Sequence, residues 1–92
     1  MWEKYVREKE NPTIIQDEEY NKQSRITIYH PGDIAPYEII CGIYGVMFHT
    51  VFAKDIKEAV EKYEGMKKEL KAYIDSNMTD ENFCSNFVDK WY

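Results

Sequence analysis

The sequence predicts an α+β domain in which a three- to four-stranded antiparallel sheet is packed by one long amphipathic helix. Two patterns predict this fold class: apolar residues alternate along residues 24–53, and their spacing changes to steps of three and four over residues 54–75. A period of two is typical of strands, and a period near 3.6 is typical of helices. A chain of 92 residues has room for one core, so we expect a single domain over residues 1–92.

A short N-terminal helix is predicted over residues 2–10. Four residues share one helical face at i, i+3, i+4, i+7 spacing: Trp2, Tyr5, Val6 and Lys9. Asn11-Pro12 would end this helix, because proline disfavours a helical conformation in the residue before it.

Residues 13–23 begin as a strand would and become acidic at once. We interpret them as an extended segment or short edge strand, possible over residues 13–20, that runs into a solvated acidic loop. The loop sequence Asp17-Glu18-Glu19 lacks the alternate-oxygen spacing and the glycine of a calcium-binding loop.

Three strands are predicted to form the meander of residues 24–53. The first alternates over residues 24–30, and the Pro- and Gly-containing segment 31–36 ends it. Residues 37–44 and 46–53 form a hairpin around Gly45, since glycine readily takes the positive φ of a tight turn.

Both strands of this hairpin are apolar on both faces. The outgoing strand places Tyr37, Ile39, Cys41 and Ile43 on one face and Glu38, Ile40, Gly42 and Tyr44 on the other. The returning strand places Val46, Phe48, Thr50 and Phe52 on one face and Met47, His49, Val51 and Ala53 on the other. We therefore expect the sheet to be covered on both sides, or on one side by its own helix and on the other by a partner.

The long helix is predicted over residues 54–75. Its apolar stripe steps by four, three, four and three through Ala59, Tyr63, Met66, Leu70 and Tyr73, and is widened by Ile56, Val60 and Ile74. Gly65 is unfavourable in a helix and suggests a close approach of the helix to the sheet.

A terminal helix is predicted after a break at residues 76–78. Thr79 is the expected N-cap, followed by Asp80 and Glu81 in a first turn that suits the helix dipole. Phe83, Phe87, Val88 and Trp91 share one face. We expect this helix, with the N-terminal one, on the second sheet face or across a dimer interface.

The formal net charge of −5 excludes several partner classes. Binding to nucleic acid or to an anionic membrane surface depends on clustered lysine and arginine, which this sequence lacks. No run of about 18 apolar residues is present to span a bilayer, and the N-terminus has no hydrophobic signal core. We therefore expect a cytoplasmic protein whose two cysteines are free thiols.

The candidates for chemistry are Cys41, Cys84, His30 and His49. None of the ligand spacings that specify zinc is present, so neither a metal site nor a cofactor is predicted. With a two-residue loop in the hairpin, Cys41 faces Phe48; with a three-residue loop it faces His49. The second register could form a thiolate–imidazole pair, the minimum for nucleophilic catalysis. The simpler interpretation is a buried thiol in the core, since free cysteine behaves mostly as a hydrophobe.

Aromatic residues give the candidate binding surface. Tyr37, Tyr44, Phe48 and Trp91 are the residues we expect at a ligand site or interface, since large aromatic side chains dominate binding energies. Core packing explains the same residues without a partner.

The sequence therefore favours a small non-catalytic interaction module that self-associates, most simply as a homodimer. Two alternatives remain: an acidic inhibitor or immunity-type protein that binds a basic partner, and a thiol-dependent enzyme or ligand binder that uses Cys41 and His49.

Overall fold

Five antiparallel strands lie side by side in the order in which they occur in the sequence. The computed structural model describes residues 1–92. Its strands are β1 (Trp2–Lys4), β2 (Ile14–Tyr20), β3 (Ser24–Tyr29), β4 (Tyr37–Ile43) and β5 (Met47–Ala53), and its helices are α1 (Ile56–Asp75) and α2 (Phe83–Lys90). The predicted α+β class and the meander are confirmed, with two further strands on the β3 side of the sheet.

The predicted N-terminal helix is wrong. Trp2 pairs with Tyr20 in the sheet, and their rings pack at 5.2 Å between centroids. Val6, which the helical pattern places on the packed face, is 85% exposed in the irregular segment that follows β1. A helix of nine residues has too few internal hydrogen bonds to compete with a strand that pairs and buries its one large ring.

The segment that follows is a full strand rather than an edge strand with an acidic loop. β2 lies between β1 and β3, and its register shifts between Ile14 and Gln16. The three acidic residues 17–19 lie inside this strand, so alternate side chains point to opposite faces of the sheet.

The long helix matches its prediction closely. The Asp55 carboxylate caps α1 by accepting the Glu58 N–H at 2.8 Å. Beyond the helix, Asn77 and Met78 have positive φ, which ends it. Of the predicted stripe, Ala59, Tyr63, Met66, Leu70 and Ile74 are buried. Ile56 and Val60 remain half-exposed, so the stripe is narrower than the sequence suggests.

The terminal helix begins later than predicted and packs elsewhere. It starts at Phe83 with Asn82 as its N-cap, not at Thr79. It lies beside α1: Phe83 stacks on Tyr73 at 4.0 Å, and Phe87 is buried in the core. The expectation that it covers the second sheet face is therefore wrong. A helix that follows α1 after a short connection remains next to it.

The core lies between this helical layer and one face of the sheet, here called the helix face. The sheet contributes Ile26, Ile28, Ile39, Cys41, Ile43, Val51 and Ala53, and the helices contribute Ala59, Tyr63, Met66, Leu70 and Phe87. The opposite face, here called the open face, has no helix over it.

Gly65, in the middle of α1, lies against Trp91 at the end of α2 and not against the sheet, so the predicted close approach is to another part of the helical layer. A Cβ at this position would lie 2.4 Å from Cη2 of Trp91, whose indole N–H also donates to Glu69 at 3.2 Å. Alanine normally stabilises a helix by about 1 kcal/mol relative to glycine. We expect Gly65→Ala to displace the indole, to shift Trp91 fluorescence to the red, and to gain none of that stability.

The measurement uses a Trp2→Phe background, in which Trp91 is the only tryptophan, with urea unfolding followed in parallel. Lys68→Ala, an exposed change on the same helix, is the control and should leave the emission unchanged. Unshifted emission together with the full gain in stability would contradict the contact.

Candidate functional site

The open face of β4 and β5 exposes a set of large apolar side chains. Phe48 is 82% exposed, and Ile40, Tyr44 and Phe52 are each more than a third exposed. These four residues are called the aromatic patch below. Scattered exposed apolar residues are ordinary, but a contiguous group on one face indicates an interaction site.

Gly42 brings the Phe48 ring close to the sheet. It pairs with Phe48 across the hairpin, and a Cβ on Gly42 would lie 2.8 Å from the Met47 carbonyl oxygen and 3.1 Å from the ring. Beside it is a depression of about 150 Å³ between Arg25, Tyr29 and the patch. Small-molecule pockets usually enclose roughly 300–1,000 Å³. The patch is thus better suited to another protein surface than to a small ligand.

The β2–β3 half of the open face is held by a charged network centred on Asp17. This buried carboxylate accepts hydrogen bonds from Arg7 at 2.8 Å, from Arg25 at 2.7 and 2.9 Å, and from Thr27 at 2.9 Å. The Arg25 guanidinium also lies over the Tyr5 ring, 3.7 Å from its centroid. Burial by itself raises the pKa of Asp17, but the hydrogen bonds from Arg25, Arg7 and Thr27 outweigh it and lower the pKa.

The other two acidic residues of β2 are bonded as well, so the predicted solvated loop is wrong. Glu18 points to the helix face, where it accepts from the Tyr63 hydroxyl at 2.6 Å and from Lys67 at 2.9 Å. Burial opposes ionisation of Glu18, but these donors prevail and lower its pKa. Glu19 points to the open face and accepts from the Tyr44 hydroxyl at 2.5 Å. Burial and this bond raise the pKa of Tyr44.

The hairpin has the three-residue loop, so Cys41 lies opposite His49. Both side chains point to the helix face. Burial raises the pKa of the Cys41 thiol to about 12, so the thiol is protonated at neutral pH. The His49 Nε2 atom contacts the Trp91 carbonyl oxygen, and no hydrogen bond joins the imidazole to the thiol. The two residues are cross-strand neighbours, but they form no thiol–imidazole hydrogen bond, and the raised pKa of the thiol opposes formation of the thiolate.

The remaining candidates for chemistry are dispersed. His30 is exposed beside β3, where its Nδ1 atom contacts the Pro36 carbonyl oxygen at 2.8 Å and its ring stacks on Tyr37. Cys84 is a free, half-buried thiol on α2. No group of three or more His, Cys, Asp or Glu residues could hold a metal ion. Neither helix combines the length and the apolar composition that crossing a bilayer requires.

The four predicted binding residues fall into two places. Tyr44 and Phe48 lie together on the open face. Tyr37 and Trp91 are half-buried and pack against the core on the helix side. The structure therefore brings two of the four together and adds Ile40 and Phe52 to them.

Comparison with known proteins finds no significant match: no protein-family model, no curated protein and no solved structure resembles the chain. The functional conclusion therefore depends on the contacts, burial and charge described above.

The Asp17 network predicts a specific pH dependence. A carboxylate whose pKa is lowered by folding stabilises the protein above its unfolded pKa, about 3.9 for Asp, and loses that contribution as the pH falls through the folded value. We expect Asp17→Asn to reduce the free energy of unfolding at pH 7 by about 3 kcal/mol, because it leaves two arginines without their carboxylate. The deficit relative to wild type should shrink below about pH 4.

Urea unfolding at neutral and acidic pH measures this difference. Glu61→Gln is the matched control, since Glu61 is exposed and makes only one long ion pair with Lys57 at 4.0 Å; it should change stability by less than about 0.5 kcal/mol. A deficit for Asp17→Asn that stays constant from neutral to acidic pH would rule out the proposed role of the carboxylate.

Proposed function

We propose that this protein is a non-catalytic interaction module that binds a second copy of itself through the aromatic patch. The observation that carries the proposal is Phe48, an aromatic side chain that is 82% exposed on a sheet face with no second layer. Exposed phenylalanine is unfavourable in water, and aromatic side chains are enriched in the centres of protein interfaces.

The charge distribution supports a second copy as the partner despite the net charge of −5. In the patch half of the open face the acidic side chain is Glu38, which is buried and accepts from the backbone N–H groups of Ile34 and Ala35 at 2.6 and 3.3 Å. Two copies of this surface can meet about a two-fold axis without bringing free like charges together.

A basic protein partner, the alternative suggested by composition, has less support. Exposed carboxylates such as Glu8, Asp33 and Glu81 remain for such a partner, but the three consecutive acidic residues Asp17, Glu18 and Glu19 are all engaged by donors within the chain. Arginine compensates the charge of Asp17, lysine compensates that of Glu18, and Glu19 accepts a tyrosine hydroxyl. These partners reduce the electrostatic attraction that remains for a basic surface.

A thiol-dependent activity rests on the opposition of Cys41 and His49 alone. The raised pKa of the thiol and the separate engagement of the imidazole both count against it. A nucleophilic cysteine requires an accessible, low-pKa thiolate, and Cys41 is 1% exposed.

Self-association is tested by removing Phe48. Because this side chain is almost fully exposed, Phe48→Ser should leave the fold and its stability nearly unchanged. We expect wild type to form dimers at tens of micromolar in sedimentation experiments and Phe48→Ser to stay monomeric under the same conditions.

Val60→Ser is the matched control, because Val60 is also an exposed apolar side chain, 42% exposed, but lies on α1 in the helical layer on the other side of the sheet. It should dimerise like wild type. A wild-type protein that stays monomeric at every concentration, or a Phe48→Ser variant that dimerises equally well, would refute the proposal.

A further inference from the structure

The outer edge of β5 lacks the features that usually prevent a strand from pairing with another chain. Its seven residues, Met47–Ala53, contain no proline, lysine, arginine or carboxylate. The opposite edge of the sheet is β1, which has three residues, two of them charged. Short, charged edges resist pairing, whereas a long uncharged edge with free backbone groups invites it.

One hydrogen bond and the strand register identify the backbone groups that face outward from β5. The Tyr44 N–H donates to the Gln23 carbonyl at 2.9 Å, so even-numbered residues of β4 face β3 and odd-numbered residues face β5. Across the hairpin, odd-numbered residues of β4 pair with odd-numbered residues of β5. The even-numbered residues of β5, namely Phe48, Thr50 and Phe52, therefore direct their N–H and C=O groups away from the sheet.

Lys62 agrees with this assignment, because its side chain makes a hydrogen bond to an outward carbonyl of the edge. Its Nζ atom donates to the Phe52 carbonyl at 2.8 Å and to the Tyr92 carbonyl at 2.8 Å. A carbonyl oxygen has two lone pairs, so Phe52 can still accept a second hydrogen bond. The outward N–H groups of Phe48 and Thr50 have no partner within the chain.

We propose that β5 pairs antiparallel with β5 of a second copy, with the two-fold axis at Thr50, so that two sheets join into one of ten strands. This pairing rests on the proposed self-association and specifies its geometry. Phe48 of each copy lies opposite Phe52 of the other, and Thr50 lies opposite its own counterpart. All three outward-facing residues then form hydrogen-bonded pairs.

The register follows from the length of the strand. Thr50 is the middle residue of Met47–Ala53, so only pairing centred there overlaps the whole strand. It also brings exposed Phe48 beside partly exposed Phe52 on the open face, as a cross-strand aromatic pair. Any shift leaves outward groups unpaired at one end and separates these rings.

The same geometry explains why the assembly stops at two copies. Pairing consumes the β5 edge of each copy and leaves the two short, charged β1 edges at the ends of the joined sheet. A closed two-fold contact of this kind leaves no equivalent edge for a third copy.

Disulfide trapping tests the register. Residues directly opposite in a hydrogen-bonded antiparallel pair have Cα atoms about 5.5 Å apart, within the range a disulfide requires. In a Cys84→Ser background, Thr50→Cys should form a covalent dimer quickly when oxidised glutathione takes up the two electrons. Cys41 is buried and does not compete.

Val46→Cys in the same background is the control. Val46 is 50% exposed in the hairpin turn, and the proposed register places it far from its counterpart. We expect its cross-linking to be at least about tenfold slower than that of Thr50→Cys, and the Thr50→Cys rate to fall to the control level when Phe48→Ser is added.

The outcomes separate this inference from the proposed function. A wild-type dimer in sedimentation, combined with equal cross-linking of the two cysteine variants, would overturn the edge register and leave self-association standing through face-to-face packing. A monomeric wild type would overturn both and leave the β5 edge available to a strand of another protein.

Discussion

One-sided burial of the sheet is the constraint on which the rest of the structure depends. Both helices pack on the helix face, where Tyr63, Met66 and Leu70 of α1 lie against buried residues of β3, β4 and β5. Burying large apolar side chains is the main favourable term in folding. No helix covers the open face, and the segment that carries Tyr5 and Arg7 contacts only its β2–β3 half, so Phe48 and Phe52 face solvent.

The acidic residues of β2 form hydrogen bonds and ion pairs on both faces of the sheet. Glu18 reaches Tyr63 and Lys67 of α1, while Asp17, one residue earlier, holds Arg7 and Arg25 on the open face. Buried carboxylates of this kind fix geometry more than they add net stability, because desolvation opposes their ion pairs. Their engagement makes them a poor site for a basic partner. The β4–β5 half, whose one carboxylate, Glu38, is buried and whose aromatic side chains are exposed, is therefore the favoured interface.

The periodicity of apolar residues predicted the features of the fold that depend on residues close together in the sequence. The stripe of α1 and the alternation along each strand of the hairpin follow from it. The register that places Tyr44 and Phe48 on one face was left open between two loop lengths, and the structure has the three-residue loop. Pairing between distant segments was missed: Trp2 follows a helical spacing but pairs with Tyr20, and α2 joins α1 rather than the open face. The Asp17 network was missed for the same reason, since it depends on the β2–β3 register. The sequence did contain the signal that separates Tyr37 from Tyr44. One has an odd and the other an even position along the strand, so their side chains point to opposite faces of the sheet.

Amide hydrogen exchange along β5 tests the central claim most directly, namely that this strand is bonded on one side and free on the other. In dilute protein, we expect the N–H groups of His49 and Val51 to be protected and those of Phe48 and Thr50 to exchange rapidly. Raising the concentration should protect Phe48 and Thr50 as copies pair. If Phe48 and Thr50 are protected even in dilute protein, or if all four amides exchange alike at every concentration, the account of the open edge is wrong.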